Sequence, residues 1–293
     1  MPPKGLAAPF LGITETRPEA ECRFVVFPVP YERTTTYLRG TASGPRAILA
    51  ASANVELFDE DARNEPTLAG IFTAPPFLGT PAPEDLPALL RAPVEAWLRA
   101  GKFVAVLGGE HAVTLGPVLG ALSVHPDLSV LQIDAHADLR DAYEGTPFSH
   151  ACVMRRVQER CRVVQVGIRS LSAEEEEARP SLNVRTFFAR DTHPLGRESL
   201  RAVLAELSPC VYLSVDIDGF DPAYAPATGT PEPGGLDWFE VSALVRELAR
   251  SRRIVAMDVT EVRPEPGDVR TEFLAARLVQ RVMAWVLRAE AAR

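Results

Sequence analysis

SVLQIDAHADLRD, residues 129–141, is the stretch on which the fold turns. Its first half is apolar on nearly consecutive positions, Val130, Leu131 and Ile133, and not only on every second one. A strand of that kind is covered on both faces, which is the condition of a parallel sheet held between helices. Its second half places Asp134, His136 and Asp138 at alternate positions, and an extended chain throws alternate side chains to one face. Three ionisable groups on one face beyond a buried run repel each other or stay desolvated unless something pairs them. A bound cation pairs them; the plainer alternative is a polar loop facing solvent.

On either side of this stretch, the same kind of apolar run recurs at 24–29, 103–107, 162–168, 183–188, 210–217 and 254–260, with a shorter one near 70–74. Between these runs lie helix-like segments at about 83–100, 111–123, 149–160, 197–207, 238–250 and 272–288. In the last, Phe273, Leu274, Leu278, Val282, Trp285 and Val286 stand near helical spacing, which predicts a face buried in the core. Strand and helix alternating along the whole length predict one α/β domain over residues 1–293 around a central, mostly parallel sheet. No internal repeat or low-complexity linker divides it. The acidic runs Asp59–Asp61 and Glu174–Glu177 are expected to be solvated surface.

Two further segments sit where a predicted strand ends, and in open α/β sheets ligands bind outside the carboxyl ends of the strands. VLGGEHAVTLG, from Val106, ends a strand in Gly108-Gly109 and opens a helix with Glu110 and His111. A lone histidine there is, by itself, more simply a cap or a packed ring. YLSVDIDGFDPAYAPATGTPEPGG, from Tyr212, places Asp216 and Asp218 in alternation after an apolar strand, and a Gly/Pro-rich loop follows. Together the segments offer four aspartates and two histidines. Carboxylates favour hard cations such as Mn²⁺ or Mg²⁺, and imidazole widens the range to Zn²⁺, Fe and Ni²⁺. Six side chains are too many for one ion that also binds water and substrate. They suffice for two ions that share bridging carboxylates, a pair that supplies hydroxide near neutral pH without a serine or cysteine nucleophile.

Composition narrows the partners. At 46% hydrophobic and 24% charged residues, the chain can bury a large core. A formal net charge of −8 disfavours nucleic acid and anionic membrane surfaces and suits a cationic small molecule. No apolar run reaches the roughly 20 residues of a membrane span. The N-terminus, MPPKGLAAPFLG, lacks the apolar centre of a signal peptide. Cys22, Cys152, Cys161 and Cys210 have no metal-ligand spacing and are expected to be free thiols of a reducing, cytoplasmic setting. Common nucleotide and serine-nucleophile motifs are missing.

The motifs GGEH (108–111), DAHAD (134–138) and SVDIDGFDP (214–222), followed by MDVTEV (257–262), resemble the ureohydrolase family of arginase and agmatinase. The resemblance covers most of the chain, in the right order. It implies a three-layer α/β/α fold with an eight-stranded, arginase-like sheet and a centre of two Mn²⁺ ions. One ion would be held by His111, Asp134, Asp138 and Asp216, the other by Asp134, His136, Asp216 and Asp218, with Asp134 and Asp216 bridging. It further implies attack of a metal-bridging hydroxide on a guanidinium carbon, and collapse to urea and an amine. Glu261 falls where the family orients the guanidinium, and a carboxylate facing that planar cation is a strong pair. His150, in TPFSHACVM, falls near the family's proton-shuttle histidine, and a histidine titrating near neutral pH suits a leaving amine. The family is commonly trimeric or hexameric, so a homo-oligomer is expected.

The stretch after DAHAD, LRDAYEGTPFSHACVMRRV, lacks the Asn/Ser-rich character of the arginase branch and looks like the agmatinase branch, which predicts hydrolysis of agmatine to putrescine and urea. Other guanidino or formimino substrates (arginine, guanidinobutyrate, formiminoglutamate), a non-catalytic metal-binding relative and a one-zinc deacetylase are the competing readings. The segment PYERTTTYLRGTASGPRAIL, from Pro30, resembles the family's N-terminal loop, from which a Tyr or acidic side chain is expected to meet the distal amine. Glu110 stands where the family more often has Asp, and is expected to hold His111 in orientation; Ala112 replaces a common Ser.

Overall fold

The computed structural model describes residues 8–13 and 17–293. Most of the N-terminal segment read above as lacking a signal peptide lies outside them. Among the described residues, eight strands form one sheet: β1 (Phe24–Val29), β2 (Ile71–Thr73), β3 (Phe103–Gly108), β4 (Leu128–Ile133), β5 (Arg162–Ile168), β6 (Val184–Phe188), β7 (Cys210–Asp216) and β8 (Arg253–Thr260). Their order is β2-β1-β3-β8-β7-β4-β5-β6, and every neighbouring pair is parallel. The helices are α1 (Gly44–Ser52), α2 (Leu86–Arg99), α3 (Leu115–Leu122), α4 (Val153–Gln158), α5 (Ala173–Ala178), α6 (Ala189–Thr192), α7 (Arg197–Ala205), α8 (Trp238–Ser251) and α9 (Arg270–Glu290).

The consecutive apolar residues of each strand divide between two cores. Phe24 and Val26 of β1, Leu131 and Ile133 of β4, and Leu213 and Val215 of β7 pack with α1, α7, α8 and α9. Val25 and Phe27, Val130 and Tyr212 point the other way and pack with α2, α3 and α4. Each fully buried Val or Leu contributes about 1.5–3 kcal/mol, so burial on both faces holds the three layers together. This is the arginase-like α/β architecture that the motifs imply.

The layout differs from the sequence reading in three ways. Asp59 is fully buried, its Oδ2 taking the Arg281 Nε at 3.0 Å and its Oδ1 the Ala62 N–H at 2.7 Å; the run 59–61 fastens a loop to α9 and is not simply solvated surface. The run 174–177 forms α5, and Glu175 turns inward. Phe273 is 39% exposed, because the buried stripe of α9 starts in earnest at Ala275. The four cysteines are free thiols; Cys22, Cys152 and Cys161 are buried and Cys210 half-buried. No helix among the described residues is long and apolar enough to cross a membrane.

Candidate active site

The four central strands, β3, β8, β7 and β4, are neighbours, and the segments leaving their carboxyl ends carry the motif residues. His111 follows β3, Asp134, His136 and Asp138 follow β4, Asp216 ends β7 with Asp218 just beyond, and Glu261 follows β8. The turn after β3 passes tightly against the segment after β1: a Cβ on Gly109 would lie 2.1 Å from the Tyr31 carbonyl oxygen. That approach lets the Gly109 N–H reach the Val29 carbonyl, and the Gly109 carbonyl accept the Glu261 N–H at 2.8 Å. Asp138 (φ 54°) and Glu261 (φ 60°) are held in the left-handed region. That conformation costs a non-glycine residue about 1–2 kcal/mol, and backbone strain of this kind collects at functional sites.

The six predicted ligands converge. His111 Nδ1 lies 3.0 Å from an Asp138 oxygen, 3.1 Å from Asp134 and 3.3 Å from Asp216. His136 Nδ1 lies 3.0 Å from Asp218 and 3.7 Å from Asp134. Two sets of ligand atoms are each close enough to grip one cation: His111, Asp134 and Asp216, and Asp134, His136 and Asp218. Asp134 belongs to both, as a bridging carboxylate would. Asp138 joins the first set through His111. Asp216 stands in the first set, and its other oxygen takes the Asp218 N–H at 3.0 Å.

Hydrogen bonding from behind fits His111 and Asp134 to hold metal. The Tyr212 hydroxyl donates to one oxygen of Asp258 and the Ser214 hydroxyl to the other, both at 2.8 Å. With its hydrogen spent there, the Ser214 oxygen can only accept from His111 Nε2, 3.0 Å away. His111 therefore carries hydrogen on Nε2 and turns Nδ1 toward three carboxylates, where Nδ1 has no well-aligned partner. A lone pair facing carboxylates is repelled unless a proton or a cation lies between, and this back-bonded arrangement is how proteins prepare a histidine for metal. Asp134 is steadied in the same way: Gln132 donates to its Oδ2 at 2.7 Å, Gln165 to Gln132 at 2.6 Å, and Thr186 to Gln165 at 2.8 Å.

The charges confirm the crowding. Burial, followed by the charges of Asp218 and Asp134, pushes the Asp216 carboxyl well above its usual range. Burial and Asp134 push Asp138 up to about 7. His136 holds a proton up to about 12: burial opposes the charge, but Asp218 and Asp134 outweigh it. The carboxylates thus crowd into one place a negative charge that divalent cations would balance.

The ligands open onto a cavity of about 270 Å³ that Glu261 and His150 also line. Glu261 is buried, accepts the His111 N–H at 2.7 Å, and is held well above the ordinary carboxylate range by burial. His150 does not keep the near-neutral titration expected of it: burial and the positive charges of His111 and His136 push it down to about 4. Glu175 lines the cavity too; it closes a capping box with Ser172 and accepts the Leu139 N–H at 2.8 Å.

One expectation is corrected here and another is narrowed to a single tyrosine. Glu110 does not hold His111. Its carboxylate turns the other way and accepts the backbone N–H groups of Arg33 and Thr34 and the Thr34 hydroxyl, so Ser214 orients the histidine instead. In the segment after Pro30, the Tyr31 hydroxyl is spent on the Pro81 carbonyl, and Glu32 accepts the N–H groups of Gly40 and Ala42. The residue of that segment that reaches the cavity rim with an aromatic ring is Tyr37. Gln132, Ser214 and Asp258 went unread, although each is a polar residue inside an apolar strand, and the first two stand two positions before a ligand.

The sequence profile described as the arginase family matches residues 22–285. The chain belongs to the arginase family. Among its relatives in that family, the N(1)-aminopropylagmatine ureohydrolase of Synechocystis is 36% identical, with 91% of this chain and 90% of that protein covered. The protein of the same description from Thermus thermophilus is 38% identical, with 89% of each covered. The crystal structure of an agmatine ureohydrolase from Thermoplasma volcanium superposes with a TM-score of 0.86, at 32% identity and 94% of each chain. Relatives of this description make the chain a ureohydrolase-type enzyme acting on linear amidine C–N bonds.

Proposed function

We propose that this protein hydrolyses the guanidinium group of an agmatine-type amine to urea, with two Mn²⁺ ions held by His111, Asp134, His136, Asp138, Asp216 and Asp218, and that N(1)-aminopropylagmatine is preferred to agmatine. The observation that carries the substrate class is the charge of the cavity. Among the described residues it is lined by the carboxylates of Asp138, Glu175, Asp216, Asp218 and Glu261 and by a single guanidinium, Arg140. Two cations balance the ligand carboxylates; Glu261 remains for the guanidinium, and Glu175, which already accepts two backbone N–H groups, offsets Arg140 and leaves the cavity no surplus positive charge for a substrate carboxylate. The longer amine is favoured by the names and identities of the Synechocystis and Thermus relatives. Agmatine itself, giving putrescine, is the second reading, favoured by the likeness to the Thermoplasma structure.

When bound, the metal pair supplies a strong nucleophile near neutral pH and positive charge beside the reacting carbon. The rest falls to the chain. Glu261, costly to ionise alone, gains a partner when the guanidinium enters and fixes that planar cation through paired charge-assisted hydrogen bonds. His150 exchanges protons with the reacting groups and protonates the departing amine. The scaffold keeps every ligand on the end of a buried strand, so the positions are set before substrate arrives.

Mn²⁺-loaded protein, offered N(1)-aminopropylagmatine, agmatine, L-arginine, guanidinobutyrate and formiminoglutamate, tests the reading. Amine release is followed for all five and urea for the guanidino compounds. The expected order of kcat/KM places the aminopropyl compound first and agmatine second. Faster turnover of L-arginine or of either acid overturns it.

A further inference from the structure

Thr34 meets His150 from behind the cavity wall, and the protons around it can be counted. Its hydroxyl lies 2.7 Å from Glu110 Oε1. Glu110 Oε2 already takes two backbone N–H groups, from Arg33 at 2.6 Å and Thr34 at 2.7 Å. A carboxylate only accepts, so the single hydrogen of the Thr34 hydroxyl goes to Glu110. The Thr34 oxygen is then left with two acceptor sites. One receives the His150 backbone N–H at 3.0 Å, and the other faces His150 Nδ1 at 3.2 Å. A bare Nδ1 would meet a lone pair there. Ser149 Oγ, 3.3 Å from the same nitrogen, caps the turn by accepting the Ala151 N–H and keeps a hydroxyl hydrogen of its own, so the neighbour that sets the ring is Thr34, nearer at 3.2 Å and with no hydrogen left to offer. Nε2 makes no hydrogen bond to the described residues, and the ring lines the cavity.

We propose that Glu110, acting through Thr34, is a positioning residue that fixes His150 in the tautomer with hydrogen on Nδ1, leaving Nε2 as the nitrogen that carries protons to and from substrate. The inference rests on the hydrolytic reading above. The overall change is guanidinium plus water to urea plus an ammonium ion. In it, Nε2 of the neutral ring accepts one proton as the water oxygen bonds to carbon. It returns that proton to the amine nitrogen as the C–N bond breaks, then takes the second water proton from the same oxygen as the urea carbonyl forms and passes it to the freed amine, so the ring ends as it began. The opposite tautomer has hydrogen on Nε2 and can only give first. The departure at position 110 thereby acquires a role. Its carboxylate reaches the 33–34 backbone and sets the histidine of the cavity, not the metal ligand beside it in sequence.

The test is Glu110→Gln, with Thr34→Val and Thr34→Ser as companions. In Glu110→Gln the amide oxygen keeps the two backbone N–H groups, and its NH₂ faces Thr34. That turns the hydroxyl hydrogen toward Nδ1 and moves the ring hydrogen to Nε2. The ring nitrogens are read by ¹⁵N NMR of histidine-labelled, Mg²⁺-loaded protein, with His150→Asn giving the assignment. Hydrogen on Nδ1 is expected in the parent and on Nε2 in Glu110→Gln. In Mn²⁺-loaded protein, kcat is expected to fall at least tenfold in Glu110→Gln and Thr34→Val with KM within about twofold, and Thr34→Ser is expected to restore it. The same tautomer in parent and Glu110→Gln overturns the inference. So does an unchanged kcat in both Glu110→Gln and Thr34→Val, or a loss that Thr34→Ser does not rescue. If no guanidino amine is turned over, the hydrolytic reading fails by itself, and the NMR comparison still decides the tautomer.

Discussion

Replacing Ser214 with alanine removes one oxygen from a site that has no water-accessible surface. Ser214 and Asp258 are fully buried, and His111 nearly so. The substitution leaves the His111 Nε2–H without its acceptor at 3.0 Å and one Asp258 oxygen without its donor at 2.8 Å. A buried polar group stranded in this way costs about 1–3 kcal/mol, so with two of them the folded protein should lose about 2–6 kcal/mol by urea unfolding. Part of that cost falls on metal binding, because the ring is no longer held with Nδ1 toward the carboxylates. Loss of an outer hydrogen-bond partner weakens a metal site about 10–100-fold. His111 belongs to only one of the two ligand sets. Calorimetric titration of metal-free protein with Mn²⁺ should therefore show one ion weakened by that factor and the other changed far less. Ser214→Thr, which restores the hydroxyl, should recover most of the affinity. Equal affinities for both ions in Ser214→Ala and the parent, with the fold intact, would refute the argument that Asp258 and Ser214 prepare His111 for metal.

Glu261→Gln should bind Mn²⁺ as the parent does but lose about 10–100-fold in kcat/KM for guanidino amines, the worth of a charge-assisted pair of about 1.5–3 kcal/mol; steady-state kinetics with metal analysis checks this. Removing metal with a chelator should lower the melting temperature by several degrees, because the four buried carboxylates Asp134, Asp138, Asp216 and Asp218 lose their counter-charge; scanning calorimetry with and without excess Mn²⁺ measures it. His125 lies outside the site, and burial, then Arg253, lowers its pKa in the folded chain. The unfolded chain therefore takes up its proton first. The stability due to neutral His125 is complete above about pH 6.5 and is lost as pH falls through the depressed folded value. In the metal-loaded protein, His125→Gln should lose less stability between pH 7.5 and 5.5 than the parent, as read from urea midpoints.

Most of the fold was legible because burial on both faces leaves an unmistakable pattern. The runs at 24–29 and 162–168 became β1 and β5 with the same bounds, and the others shifted by a residue or two at their ends. The ligands were legible because carboxylates and imidazoles alternating beyond such runs have few other uses. What stayed hidden depended on which way a side chain leaves an irregular backbone. Glu110 is extended (φ −73°, ψ 158°), so it and His111 leave the chain in different directions despite their adjacency. Charge count alone makes the run 174–177 surface, whereas the Ser172-x-x-Glu175 spacing of a capping box carries the sign of an inward Glu. Asp59 finds its arginine partners more than two hundred residues away on α9, a pairing that no local pattern announces.

The strand order also constrains synthesis. β3 and β4 follow each other in the chain, yet β7 and β8 lie between them in the sheet. A nascent polypeptide emerging from the ribosome keeps a two-strand gap open, with two bare inner edges, until residues 210–260 have been made. Such edges invite pairing with other chains. A carboxyl-terminal truncation just before β7 should therefore yield an aggregating product instead of a smaller soluble one, and the ligand set stays incomplete until Asp216 and Asp218 have been added.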